Sequence, residues 1–323
     1  MTWTTATVRE ATAPADGIRR LRLDYGRPLR AEPGAHVEVQ VQVEGRSEVR
    51  SYSVVHHEAE HGVLDLGIKL AADGRGGSRY MHGLAVGDRL RVSDPVQDFP
   101  LTRRRAGYVL VAGGIGITPI LPMVRALAAD GAPVRLVYAG RSRSSMAFLD
   151  ELEELPEIEV DLRVEEEGTL VDAAELVASI PADHELYVCG PIGLLDALRT
   201  AWVAAGRPPG GLRFETFGSS GRLPVEEFVV EVPRLALRTT VPAHRSLLDA
   251  LESAGAEMIS DCRRGECGVC EVRVLACEGV VDHRDVFLSP AQHDEGGYLC
   301  VCVSRAAAVP GAGAPARLVL DLP

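Results

Sequence analysis

The sequence predicts a multidomain chain: an antiparallel β-barrel, then an α/β domain with a parallel sheet, then a small α+β domain. Three observations carry this. Apolar and polar residues alternate with period two up to about residue 103. Strand and helix patterns then alternate to about residue 217, and six of the seven cysteines fall in the last quarter of the chain. At 323 residues the chain has room for three domains, expected at 1–103, 104–225 and 226–323.

In the first segment "HVEVQVQVE", "VRSYSVV" and "VLDLGIKL" alternate as half-buried strands do. Turn signals separate them at Pro33-Gly34, Gly45, Gly74, Gly76-Gly77 and Gly87-Asp88. Many short strands with such punctuation suggest a small closed barrel. In the second segment "GYVLVAG", "VRLVYAG", "IEVDLRV" and "ELYVCG" are apolar runs of buried-strand length. Each precedes a helical pattern: "PILPMVRALAADG", "SSMAFLDELEEL", "VDAAELVASI" and "GLLDALRTAWVAAG". "GSSGRLPVEE" reads as a linker. Two strands ("EFVVEV", "LALRTTVP"), a helix ("SLLDALESAG"), "CEVRVLACEG" and a closing "RLVLDL" make up the third segment. "AAAVPGAGAPA" reads as a surface loop.

A net charge of −12 argues against a nucleic-acid partner or an anionic membrane surface. The start "MTWTTATVRE" lacks the charged-then-apolar pattern of a secretory signal, and no apolar run approaches the ~20 residues of a membrane span. The expectation is a cytoplasmic protein, where clustered cysteines bind metal or do redox chemistry more often than they form disulfides.

Cys262, Cys267 and Cys270 stand as Cys-x4-Cys-x2-Cys, the plant-type spacing for a [2Fe–2S] cluster, which needs a fourth cysteine downstream. Gly265 and Gly268 permit the tight turns that aim amide N–H groups at sulfur. Structural zinc is the competing reading, though it favours paired Cys-x2–4-Cys knuckles. Cys300 and Cys302 both qualify as the fourth ligand, because on one strand they would share a face.

Two strand-to-helix turns define a nucleotide crevice. One is Gly113-Gly114-Ile115-Gly116-Ile117-Thr118-Pro119 and the other is Cys189-Gly190-Pro191. Glycine lets backbone approach a pyrophosphate, and ligands of open parallel sheets sit at strand carboxyl ends. For Cys189 the bland reading is a small buried residue. In the first segment Arg50, Ser51, Tyr52 and Ser53 offer a charged fork, an aromatic face and hydroxyls for a flavin. Gly76, Gly77 and Ser78 open a helix suited to its phosphate. Lys69, the only lysine, lies beside these residues and is a further candidate.

Taken in order, R-x-Y-S, G-G-x-G-x-T-P, C-G-P and the C-terminal cysteine motif make the chain resemble the phthalate dioxygenase reductase family, over essentially its full length. The resemblance implies a flavin barrel, a nucleotide domain like that of ferredoxin–NADP reductase, and a plant-type ferredoxin of β-grasp form. It places Arg50, Tyr52 and Ser53 on the flavin, with Gly77 and Ser78 at its phosphate. Gly114 and Thr118 would line the nicotinamide site opposite Cys189, Gly190 and Pro191. Phe217, in "FETFG", would lie beside the flavin ring. "HRD" and Gly-aromatic-x-x-x-Cys favour Cys302 over Cys300, with extra spacing absorbed around Ala276-Cys277. FMN is the implied flavin and FAD the alternative.

Family usage implies NADH. Arg141 and Arg143 amid serines leave NADPH as the alternative donor. The implied reaction moves electrons from NAD(P)H through the flavin to the cluster and on to a terminal oxygenase of Rieske type, with a cytochrome P450 as the rival partner. Cofactors carry such chemistry, so no catalytic side chain is expected, and His56 and His57 read as local structure. Arg263, Arg264 and Glu266 are the expected docking edge, and the protein is expected to be a monomer. The rival from another class is a non-enzymatic iron–sulfur sensor or a zinc-stabilised binding module.

Overall fold

The computed structural model describes residues 2–71, 74, 76–217, 223, 225–309 and 314–322. Most of the expected linker (218–222 and 224) and the centre of the expected surface loop (310–313) lie outside them. Contacts divide the chain into two compact units, one formed by Met1–Ala72 with Gly76–Glu215 and the other by Thr216–Pro323. Among the described residues, no helix is long and apolar enough to cross a membrane.

The first unit opens with strands β1 (Trp3–Ala15), β2 (Ile18–Asp24), β3 (Ala35–Val43), β4 (Arg46–Glu58) and β5 (Val63–Lys69). Helix α1 (Gly77–Gly83) and strands β6 (Arg89–Ser93) and β7 (Val96–Gln97) follow. The sheet order β4-β5-β2-β1-β6-β3 closes on itself through β3–β4 pairing, giving a six-stranded antiparallel barrel. Leu21, Leu23, Val37, Val39, Val41, Leu64 and Leu66 are wholly buried inside it, so the period-two pattern faces the core as alternation requires. At the β4–β5 turn, Gly62 holds a φ of 65° and comes so near Arg27 that a Cβ would lie 1.7 Å from its carbonyl oxygen.

The same unit continues with β8 (Gly107–Gly113), α2 (Ile117–Ala129), β9 (Val134–Gly140), α3 (Leu149–Glu153) and β10 (Glu159–Val164). Then come α4 (Ala173–Ser179), β11 (His184–Cys189), α5 (Ile192–Ala204) and β12 (Leu212–Glu215). All pairings are parallel, in the order β10-β9-β8-β11-β12. Every residue of β8 is buried, which is why "GYVLVAG" carries no polar alternation. The helix expected over "SSMAFLDELEEL" is shorter than its pattern. Phe148 adopts a φ of 65°, and Met146 packs where a Gly140 side chain would stand, so α3 starts only at Leu149.

The second unit contains β13 (Phe228–Val232), β14 (Leu237–Val241), α6 (Leu247–Ser253), β15 (Glu271–Glu278) and β16 (Val280–Asp282). It ends with α7 (Pro290–Glu295), β17 (Tyr298–Cys300), β18 (Arg305–Ala307) and β19 (Arg317–Asp321). Its mixed sheet runs β14-β13-β19-β15-β17, with β13 and β19 parallel and α6 packed on β14. Phe228, Val230, Leu247, Leu251, Leu318 and Leu320 form its core.

The contact at Gly62 should be measurable. Gly26 has a similar φ of 67°, with nothing within 4 Å of where a Cβ would stand. Gly26→Ala should cost about 1–2 kcal/mol from left-handed backbone alone. Gly62→Ala adds a backbone clash and should lower the thermal midpoint clearly further. Equal shifts would show that the Arg27 approach is relaxed at little cost.

Candidate functional site

The parallel sheet reverses its winding between β8 and β11, and both glycine turns sit at the carboxyl ends of these two strands. They touch each other through backbone. A Cβ on Gly116 would lie 2.1 Å from the Cys189 carbonyl oxygen, and one on Gly190 would lie 3.0 Å from Gly113 Cα. Pro191 caps α5 and packs on Gly113. Glycine here is therefore a matter of close approach between the two turns. Gly114, at a φ of 54°, faces open space, and the nearest atom to a Cβ there is Lys69 Nζ at 3.9 Å. Thr118 is buried, donates its hydroxyl to the Ile115 carbonyl (2.9 Å), and sets its methyl where a Gly67 side chain would be. Cys189 is fully buried.

Beyond β9, Arg143 donates to both oxygens of Glu167 (2.6 and 3.0 Å). Its hydrogen bonds hold the Glu167 carboxyl below the usual range. Local sequence around Arg141 and Arg143 does not reveal this partner, because 24 residues separate Arg143 from Glu167.

On the barrel, Arg50 to Ser53 lie along β4 opposite Val39 to His36. Ser51 is exposed, Tyr52 packs against the core and Ser53 is buried. Burial pushes the Tyr52 phenol well above its ordinary range. Gly76 holds a φ of 81° at the start of α1, and a Cβ on Gly77 would meet Arg50 Cγ at 2.7 Å. The fold thus joins the two separated barrel motifs. Ser78 Oγ accepts the Ala71 N–H (3.1 Å), and the Arg50 guanidinium pairs with Glu48, a residue that pattern reading missed. His56 and His57 follow directly on a register shift in the β4–β5 ladder, and burial lowers both imidazoles. Phe217 is half-buried and belongs to the second unit.

In the second unit the cysteine loop winds through left-handed backbone at Arg263 (φ 51°), Gly265 (78°) and Gly268 (74°). These turns aim the Arg264 and Glu266 N–H groups at Cys262 Sγ, each at 3.4 Å. A Cβ on Gly268 would strike the Phe287 ring at 2.3 Å, and one on Gly265 would lie 2.9 Å from Asp285 Cα. Cys270 meets both Cys300 and Cys302, whose thiols hydrogen-bond to it and hold its own pKa low. Those two thiols are pushed far up in turn.

The expectation that Cys300 and Cys302 share a strand face fails, because β17 ends at Cys300. The Val303 and Ser304 amides fold back onto the Cys300 carbonyl (3.3 and 3.0 Å), so Cys302 lies in a turn. Cys302 receives the Gly265 amide and feels the charge of Cys262 as well as Cys270, whereas Cys300 has Cys270 and Asp285 as neighbours. Ser304 and Arg305 lock the chain beyond it. Arg305 is buried and donates to the Glu226 and Pro242 carbonyls (3.0 and 2.9 Å). Cysteine thiols gathered this closely and wrapped by inward-pointing amides fit an iron–sulfur cluster better than a set of free thiols.

Of the expected docking edge, Arg263 is half exposed and paired with Asp249 and Glu252. Arg264 and Glu266 are largely enclosed, and Glu266 accepts the Thr216 N–H (2.7 Å). Val269 (45%) and Phe287 (44%) are exposed apolar side chains at the loop.

Residues 6–100 match the family model for an oxidoreductase FAD-binding domain, 110–200 that for an oxidoreductase NAD-binding domain, and 232–307 that for a 2Fe-2S iron-sulfur cluster binding domain. The chain is 38% identical, over 98% of both chains, to a putative toluene-4-sulfonate monooxygenase system reductase subunit of Comamonas testosteroni. It is 36% identical to phthalate dioxygenase reductase of Burkholderia cepacia, over 90% of this chain and 88% of that one. Among solved structures, phthalate dioxygenase reductase superposes with a TM-score of 0.76 at 32% identity, covering 99% of this chain and 98% of that one. An intact type IV self-sufficient cytochrome P450 monooxygenase gives a TM-score of 0.65 at 35% identity, covering 99% of this chain and 41% of that one. With three domain matches in one order and full-length relatives, the chain belongs to the phthalate dioxygenase reductase family, an oxidoreductase built from FAD-binding, NAD-binding and 2Fe–2S domains.

Proposed function

We propose that this protein carries electrons from NADH, through FMN and a [2Fe–2S] cluster, to a Rieske-type terminal oxygenase. It would act as a cytoplasmic monomer with domain boundaries near residues 103 and 225. The observation that carries the reading is the cysteine set, in which Cys262, Cys267, Cys270 and Cys302 are the proposed ligands. When bound, the flavin takes a hydride from the pyridine nucleotide and the cluster passes electrons on one at a time. The names of the relatives supply the acceptor class, since they are reductases of monooxygenase and dioxygenase systems. A P450 acceptor is the second reading, favoured by the likeness to a self-sufficient P450.

The chain's own residues bind and orient. Arg50, lying across Gly77 with Ser78 next to it, is proposed to hold the flavin phosphate after exchanging Glu48 for it. Ser51, Tyr52, Ser53 and Gly76 would complete the flavin edge, with Phe217 at the ring. The open face of Gly114 beside Lys69, together with Thr118, Cys189, Gly190 and Pro191, would take the nicotinamide end. NADH is supported over NADPH by Glu167. Its carboxylate neutralises Arg143 and would repel a 2′-phosphate arriving there.

Four outcomes test this reading. Purified protein should show flavin and iron–sulfur absorption bleached by NADH, and heating should release FMN. Cys302→Ser should lose cluster iron while its flavin is still reduced by NADH, whereas Cys300→Ser should keep iron and sulfide. The reverse pattern would move the fourth ligand to Cys300. Glu167→Ala should raise kcat/KM for NADPH relative to NADH several-fold, and an unchanged ratio would remove Glu167 from donor choice. Val269→Asp, on the revised docking face, should slow reduction of a protein acceptor such as cytochrome c. Its NADH–ferricyanide turnover should be unchanged, and equal loss of both would discard that face.

A further inference from the structure

Apart from the cysteines, the second unit gathers one other set of ligand-type side chains among its described residues. His283 follows β16, Asp285 comes two residues later, and His293 sits in α7. One nitrogen or oxygen from each lies within 4.8 Å of the other two. The imidazoles are stacked, with centroids 4.3 Å apart and planes at 20°. His293 Nε2 is 3.2 Å from Asp285 Oδ2, and His283 Nδ1 is 3.7 Å from Asp285 Oδ1.

Two features separate this set from an ordinary buried ion pair. The carboxylate is held from behind: Ser304 Oγ donates to Oδ1 and the Leu288 N–H to Oδ2, each at 3.0 Å. Oriented this way, a fully buried Asp285 resembles a metal-ligating carboxylate with its outer hydrogen bonds in place. In addition, the His283 side chain is only 9% exposed, and neither of its ring nitrogens has a hydrogen-bond partner. Leaving a buried polar group unpaired is costly, so an imidazole in this position calls for a partner that hydrogen bonding does not supply.

We propose that His283, Asp285 and His293 bind one divalent transition-metal ion of the zinc class, separate from the iron–sulfur cluster. Two imidazoles and one carboxylate, with water in the fourth position, form a three-protein-ligand set that suits zinc and not magnesium or calcium. Such an ion would give the His283 ring nitrogens the partner they lack. It would also stiffen the cluster loop, because Val286 donates its N–H to the Gly265 carbonyl (2.9 Å) and Asp285 packs on Gly265.

The test uses the full-length holoprotein incubated with zinc chloride, desalted and assayed for zinc, iron and sulfide. One zinc per chain should remain bound with iron and sulfide unchanged, and zinc should raise the thermal midpoint. His293→Ala should weaken zinc binding by about 10–100-fold in competition with a chromophoric chelator, abolish the thermal shift and keep iron. Should the alanine variant lose iron, His293→Gln, which preserves side-chain volume, carries the same comparison. Absence of zinc from the wild type, equal affinity in the variant, or zinc uptake matched by iron loss would each overturn the proposal.

Discussion

Gly265 is the point on which the C-terminal unit turns. Its missing side chain admits the Asp285 backbone, its carbonyl accepts the Val286 N–H, and its amide faces Cys302. Three stretches far apart in sequence meet there: the cysteine loop, the His283–Asp285 segment and the turn after β17. A methyl group at Gly265 would separate them and swing the loop amides away from sulfur. Arg305 and Ser304 secure the same junction from the other side, by bonding to carbonyls and to Asp285.

The first unit follows a related rule. Gly113, Gly116 and Gly190 let two turns pack backbone to backbone at the switch point of the sheet. The barrel is tied to the nucleotide domain by packing and charge together. Arg20 bridges buried Asp65 of β5 and Glu151 of α3, and Arg125 of α2 joins Glu151. The left-handed turn at Phe148 brings its ring to Gly67 and to the Arg20 guanidinium. That shared network explains why these two domains form one compact unit although their sequence patterns differ so clearly.

Pattern reading succeeded where a period or a spacing is itself the physical requirement. The buried run of β8, the alternation of β3 and the Cys-x4-Cys-x2-Cys loop were all legible for that reason. It missed β12, a short parallel strand of Leu212–Glu215, because four residues carry no usable period. It extended α3 across Met146 and Phe148, whose burial against Gly140 and Gly67 overrides helix preference. It assumed a strand through Cys302, where the amides of Val303 and Ser304 instead close a turn.

Residue type and local order were therefore enough to indicate the three-part architecture and the family, since each rests on periods and spacings within short stretches of chain. Partnership was settled at long range. Glu48 on Arg50 and His293 beside His283 and Asp285 involve near neighbours in the chain, but Glu167 on Arg143 and Gly116 against Cys189 depend on which strand ends and loops the fold brings together. Periodicity does not encode that, because these contacts form only after the sheets have closed.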